Sequence, residues 1–302
     1  MNKKIVIIPN VTKEMRIGFS FNHMIKVISE TERANNVLWD FSQVNFLHPF
    51  FLAPLAIYKN TTGKAIECVN MSLQLQSYLN CIYFDRMLQF GNETKEDVER
   101  VLHGYDDNTY LPLCSFAMTD SNKDIFGTVL KNVLMKQVNY GKDGNSPLSY
   151  LISELLDNVY EHSNSPNGYI FSQYLEQEGA IYLCIADSGI TIPGSFRNAD
   201  LYQEEIDDNE AEALKLANEG YSTKNRPEAE NRGYGISTTK SMLVAGMKGA
   251  FFMLSGGAFH RYENKTNVYV NLNNVFRWNG TIILMRIPVV LPETFNYIDY
   301  LE

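Results

Sequence analysis

Two orders of hydrophobic pattern divide this sequence, and they limit its architecture more than any single motif does. Over residues 1–115, strand-like and helix-like runs alternate. KIVIIP and NVLWDFSQVNF are rich in β-branched and aromatic residues, and FNHMIKVISETERANN between them has helical spacing. The short strand AIECV then precedes the amphipathic MSLQLQSYLNCIYF. Such alternation predicts a small α/β domain. The polar stretch GNETKEDVERVLHGYDDNTYLP reads as a linker or domain edge. Beyond it the order changes: helices first (NKDIFGTVLKNVLMKQVN, and a second around ELLDN), then GYIFSQYLE and GAIYLCIAD as strands, an acidic helix around DNEAEALKLANEG, the helix ISTTKSMLVAGM, and the strands GAFFMLSGG, TNVYVNLN and GTIILMRIP. The second half is predicted to be α+β, with helices covering one face of a mixed, mostly antiparallel sheet. Residues 116–290 form this domain, and LPETFNYIDYLE at 291–302 is a tail to which the sequence assigns no role.

The bulk numbers narrow the function classes. With 45% hydrophobic residues the chain can bury a real core, and its net charge of −9 makes it a poor general binder of nucleic acid or anionic membrane. The apolar start MNKKIVIIPN is too short for a signal peptide, and NFLHPFFLAPLAIY is broken by His48, Pro49 and Pro54 and falls short of a bilayer span. Four cysteines without CxxC spacing suit a reducing compartment. A cytoplasmic protein is expected.

ELLDNVYEHS holds the most informative pattern. At about 100° per residue, Leu151, Ile152, Leu155, Leu156 and Val159 fill one helical arc, the core face. Glu154, Asn158 and His162 recur every fourth residue and stack in a row along the border of that arc. A carboxylate and an amide placed there can face a sheltered cleft, where side-chain oxygens suit magnesium. Taken alone, the helix fits a plain amphipathic surface helix better. Further on, IYLCIADSGITIPG ends a hydrophobic strand in Asp187, an acceptor for a planar amino group, followed by Gly189. NRGYGIST opens a helix with two glycines, Gly233 and Gly235, a geometry whose backbone N–H groups favour phosphate. No GxxxxGK[ST] occurs, which removes the P-loop route.

In this order and spacing the stretches resemble the GHKL (Bergerat-fold) ATPases, the superfamily of type II topoisomerases, heat-shock chaperones, histidine kinases, mismatch-repair proteins and anti-sigma-factor kinases. ELLDN resembles the N box, ADSGITIP the first glycine box, RGYGIS the second, YSTK the start of the ATP lid and GTIILMRIP the closing strand. The resemblance covers about residues 120–290. It implies an α/β sandwich that binds ATP with magnesium. By family role Asn158 would ligate the metal, Asp187 would hold the adenine amino group and Thr281 would contact adenine. Gly189, Gly233 and Gly235 would admit the nucleotide to the backbone, Lys224 and Arg232 would meet phosphate, and Glu154 would be the catalytic base in hydrolysing members or support the same site in kinases, with His162 supporting the site. Thr191 departs from the pattern, standing where a second glycine is usual; a side chain there is expected to crowd the rim or alter the lid hinge.

VLWDFSQVNFLHPFFLAPL with AIECVNMSLQLQSYL resembles a STAS-like domain, as in anti-sigma-factor antagonists, with His48 and Pro49 at the loop position where such domains carry a phosphorylated serine. His23 lacks the acid and proline of a histidine-kinase acceptor. Two functions follow: an ATPase or protein-kinase-like enzyme in signalling or partner switching, or a nucleotide-gated interaction module with little turnover. A protein partner is implied in both, and neither names it.

Overall fold

The architecture is seen in a computed structural model. It describes residues 3–11, 17–105, 108–138, 140, 145–221, 234–272 and 275–300, without the side chains of residues 17, 145, 146, 161, 162, 234 and 235. The chain is α+β and divides into two compact units, Met1–Gln89 with Pro112–Ser115, and Phe90–Leu111 with Phe116–Glu302.

The first unit is built on a parallel sheet of order β1-β2-β3, from β1 (Lys4–Ile7), β2 (Asn36–Asp40) and β3 (Ala65–Val69), connected through α1 (Ile17–Glu32) and α2 (Pro49–Thr61) and followed by α3 (Leu73–Cys81). Val6, Val37 and Trp39 are buried, while Ile5 and Ile7, on the other face of the same strand, are exposed. The apolar run around His48, which two prolines seem to interrupt, is in fact α2. Pro49 stands in its first turn, where a missing N–H costs nothing. His48 is the N-cap, its Nδ1 accepting from Phe50 N–H at 3.2 Å. Burial lowers the His48 pKa to about 4, which keeps that nitrogen an acceptor. Among the described residues no helix is long and apolar enough to cross a membrane.

The next elements are β4 (Leu88–Phe90), α4 (Lys95–His103) and β5 (Tyr110–Ala117). The polar stretch expected to be a linker therefore contains a helix. Thr94 caps it by accepting from Asp97 N–H at 3.2 Å, and Val98 and Leu102, one turn apart, are its whole buried stripe.

The second unit continues with α5 (Asp120–Met135), α6 (Asn145–His162), β6 (Asn167–Leu175), β7 (Ala180–Asp187), α7 (Ile192–Asn198), α8 (Gln203–Ile206), α9 (Glu210–Asn218), α10 (Tyr234–Ser241), β8 (Ala250–Gly256), β9 (Ala258–Glu263), β10 (Thr266–Asn271) and β11 (Trp278–Pro288). Its strands join a mixed, mostly antiparallel sheet of order β10-β9-β8-β11-β7-β6-β5-β4. The last strand in sequence enters the middle: Ile283 of β11 lies opposite Ile185 of β7 and Met253 of β8. All of β7 is buried, as its unbroken apolar run demands. In α6, Leu148, Leu151, Ile152, Leu155, Leu156 and Val159 are buried, the arc that helical spacing predicts. α6 packs on α5 and α10.

Glu210, at the start of α9, ties several elements together. It is 1% exposed and accepts from Arg197 Nη1 at 2.6 Å, Arg277 Nη1 at 2.9 Å and Gly257 N–H at 2.6 Å. Burial alone pushes its pKa up, but these donors outweigh it and hold the carboxyl below its ordinary value of 4.5. A group with a depressed folded-state pKa stabilises fully above the unfolded value and loses that contribution as pH falls through the folded one. Glu210→Ala is expected to cost roughly 2–3 kcal/mol at neutral pH. Urea unfolding should show the difference shrinking as pH falls below the ordinary carboxyl value of 4.5; a variant as stable as the native chain at neutral pH contradicts this anchoring.

Candidate functional site

A cleft opens between the sheet and helices α6, α7, α9 and α10, with about 700 Å³ of empty space, its solvent-facing mouth included. Its wall is mainly apolar, with Ile190, Ile192, Phe196, Met253 and Ile283 among its residues. The polar groups are few: Asn158, Ser163, Asp187, Ser195, Tyr221 and Thr281. None of the described residues lining it is basic.

Asp187 is the last residue of β7 and is 2% exposed. Its Oδ1 accepts from Gly189 N–H at 2.8 Å, and the Thr281 N–H also bonds to the carboxylate. These two donors favour the charged form, yet burial prevails and raises the pKa to about 7. No cationic partner to this carboxylate is found among the described residues, in contrast with Glu210.

Thr281 belongs to a hydroxyl chain. Its Oγ1 lies 2.9 Å from Ser255 Oγ, which accepts from Ile192 N–H at 2.8 Å and reaches Gly280 O at 3.2 Å. Ser255 has one proton. When that proton goes to Gly280, Thr281 donates to Ser255 and turns its lone pairs toward the cleft. Ser255 was not singled out in the sequence: its place opposite Thr281 arises only from the pairing of β8 with β11.

Asn158 reaches the cleft from α6. Its Nδ2 donates to the Glu154 carbonyl at 2.6 Å, which leaves the amide oxygen as the end able to take a cation. Two segments nearly thirty residues apart in sequence are joined here by backbone contact: Ile190 N–H donates to Ser163 O at 2.6 Å, just past the end of α6. Gly189 makes this approach possible, because a Cβ there would fall 1.8 Å from the Ser163 oxygen.

The site residues expected from sequence thus separate into groups. Asn158, Asp187 and Thr281 line one cleft. Gly189 is at its edge, and its bare Cα is filled by Ser163. Gly235 is in the first turn of α10, beside Ile236, which lines the cleft. Glu154, one turn before Asn158, is not among the lining residues, and its charge acts on Tyr150 instead. Thr191 does not line the cleft either: it caps α7, Oγ1 accepting from Gly194 N–H at 2.9 Å. Lys224, Arg232, Gly233 and the side chain of His162 lie outside the described residues. Among the described residues no group of three or more His, Cys, Asp or Glu could hold a metal on its own. No model of a known protein family matches the chain, and no curated protein matches it.

The raised pKa of Asp187 has a thermodynamic sign. The folded value, about 7, exceeds the ordinary carboxyl value of 3.8, so folding takes up a proton between them and stability falls as pH rises across that window. Asp187→Asn keeps an acceptor for Gly189 and removes the buried charge. It is expected to be more stable than the native chain at about pH 8 by on the order of 2–4 kcal/mol, the difference vanishing toward about pH 4. Urea denaturation at the two pH values checks this, and an equally pH-dependent Asn variant contradicts it.

Proposed function

We propose that the second unit binds ATP with magnesium in this cleft, as a nucleotide-binding domain of GHKL type. One observation carries the reading: Asn158, Asp187 and Thr281, from three separate segments, line a single cleft. The donor set fits the ligand. Asp187 and Thr281 offer acceptors at the cleft floor for an exocyclic amino group, and the apolar wall at Met253 and Ile283 suits the faces of a purine. Asn158 supplies one neutral oxygen, in keeping with an ion that takes few protein ligands and completes its shell with phosphate and water. Bound magnesium would offset phosphate charge that no described lining residue balances. The opening turn of α10, with Gly235, supports the phosphate end.

Of the two functional classes, the geometry favours the gated binding module. Glu154 is not among the residues that line the cleft, where a base for hydrolysis would be needed. ATP then acts by changing affinity for a protein partner, as in signalling or partner switching. The first unit, with its parallel three-stranded sheet and connecting helices, suits a STAS-like docking role in the same scheme.

Asp187→Ala is expected to weaken ATP roughly tenfold to 150-fold, the loss of one charge-assisted bond of about 1.5–3 kcal/mol. Because the amino group binds the ionised carboxyl, native affinity should also fall as pH drops below about 7. Calorimetric titration measures both; an unchanged affinity removes Asp187 from the site. Asn158→Ala should weaken binding more with magnesium than with chelator, and equal loss in both conditions contradicts its role as ligand. Phosphate release should be low and insensitive to Glu154→Gln; a native turnover that this substitution abolishes restores the enzyme reading.

A further inference from the structure

The C-terminal segment closes its own polar groups into a compact turn. Asn296 Nδ2 donates to Asp299 Oδ1 at 2.7 Å, Asn296 Oδ1 accepts from Ile298 N–H at 3.3 Å, and Phe295 N–H donates to Pro292 O at 2.9 Å. It ends in a short 3₁₀ turn, Tyr297–Tyr300. Phe295 and Tyr300 stack with ring centroids 6.0 Å apart and planes at 16°. That pair sits on Gly246, the last residue of a π-helical turn, Met242–Gly246, that prolongs α10. A Cβ on Gly246 would lie 2.8 Å from Phe295 Cε2 and 2.9 Å from Tyr300 Cζ, so the seat exists only because this residue is glycine.

Tyr297 reaches a different helix. Its ring meets Tyr150 of α6 edge-on, centroids 6.4 Å apart at 67°. The Tyr150 hydroxyl in turn bonds to Thr238 of α10. Tyr150, Glu154 and Asn158 are spaced by four, so they form one row along α6. The row begins under the tail aromatics and ends at the cleft. The tail therefore touches α6 and the π-helical turn that prolongs α10, the helices that frame the proposed metal and phosphate positions.

We propose that Leu291–Tyr300 is a strap that braces α6 against α10 and thereby sets the nucleotide affinity of the cleft, with Tyr150 and Tyr297 as positioning residues. The proposal rests on the nucleotide reading of that cleft. The coupling is bounded by what holds the strap down, an aromatic contact or two, so its loss is worth roughly fivefold to tenfold in affinity. Linkage is reciprocal: a nucleotide that draws α6 and α10 together also tightens the strap.

Full-length Tyr297→Ala, Gly246→Val and Tyr297→Phe are titrated with a non-hydrolysable ATP analogue and magnesium, alongside amide hydrogen exchange. Tyr297→Ala and Gly246→Val should each bind roughly fivefold to tenfold more weakly, while Tyr297→Phe, which keeps the ring, binds as the native chain does. The analogue should slow exchange over residues 291–300 in the native chain. Affinities all within about twofold of native overturn the strap, as does equal weakening by Tyr297→Phe. If Gly246→Val does not fold, the Tyr297 pair decides. If the native chain does not bind the analogue, the nucleotide reading fails, and exchange still judges the brace. Faster exchange over residues 147–154 and 236–246 in Tyr297→Ala supports it, and unchanged exchange there overturns it.

Discussion

Backbone contact between Ser163 and the turn after β7 is the constraint on which the cleft depends. α6 brings Asn158, β7 brings Asp187, and nothing in their sequence separation makes them neighbours. The Ile190 N–H to Ser163 O bond, with a glycine beside it, pins the end of one element to the end of the other. From that point the two side chains diverge only by a helical turn on one side and a few residues of turn on the other. Thr281 joins because β11 inserts between β7 and β8. The cleft floor is thus the product of chain topology and one close approach, and its side chains are secondary to that.

The second unit treats Asp187 and Glu210, the two buried carboxylates among the described residues, in opposite ways. Glu210 is given two guanidinium groups and a backbone N–H, and its charge becomes a joint between α7, α9 and the β8–β9 turn. Asp187 receives backbone donors and, among the described residues, no cation, and its pKa is raised to about 7 at the floor of an apolar cleft. A fold that can fully satisfy one buried acid and leaves another under-satisfied is holding the second at a cost in stability. Such under-satisfaction is where ligand chemistry is sought.

Much of this was legible beforehand, for identifiable reasons. α6 was readable because five of its residues repeat on one arc, and β7 because its apolar run is unbroken. α4 was not, since its stripe is only Val98 and Leu102 in a polar context. Prolines at 49 and 54 disguised α2, whose residues from Pro49 to Tyr58 are all buried and so show no helical contrast. β9, AFHRYE, has no alternation and is a strand by virtue of its two neighbours. For the site, spacing by four put Glu154 and Asn158 in one row on α6, but only three-dimensional placement separates Asn158, which lines the cleft, from Glu154, which is not among its lining residues. Thr191 looked like an obstruction because the pattern knows positions and not directions; its hydroxyl is turned back into α7.

The helix cap at His48 carries a consequence of its own. An imidazole can receive the Phe50 N–H only through an unprotonated Nδ1. Once acid drives a proton onto that nitrogen, acceptor becomes donor, and a cation stands at the electropositive mouth of α2. The first unit therefore contains its own latch against strong acid, released near the bottom of the histidine range and seated on a helix whose every early residue is packed inside. An ordinary serine in that place would hold the same turn at any pH.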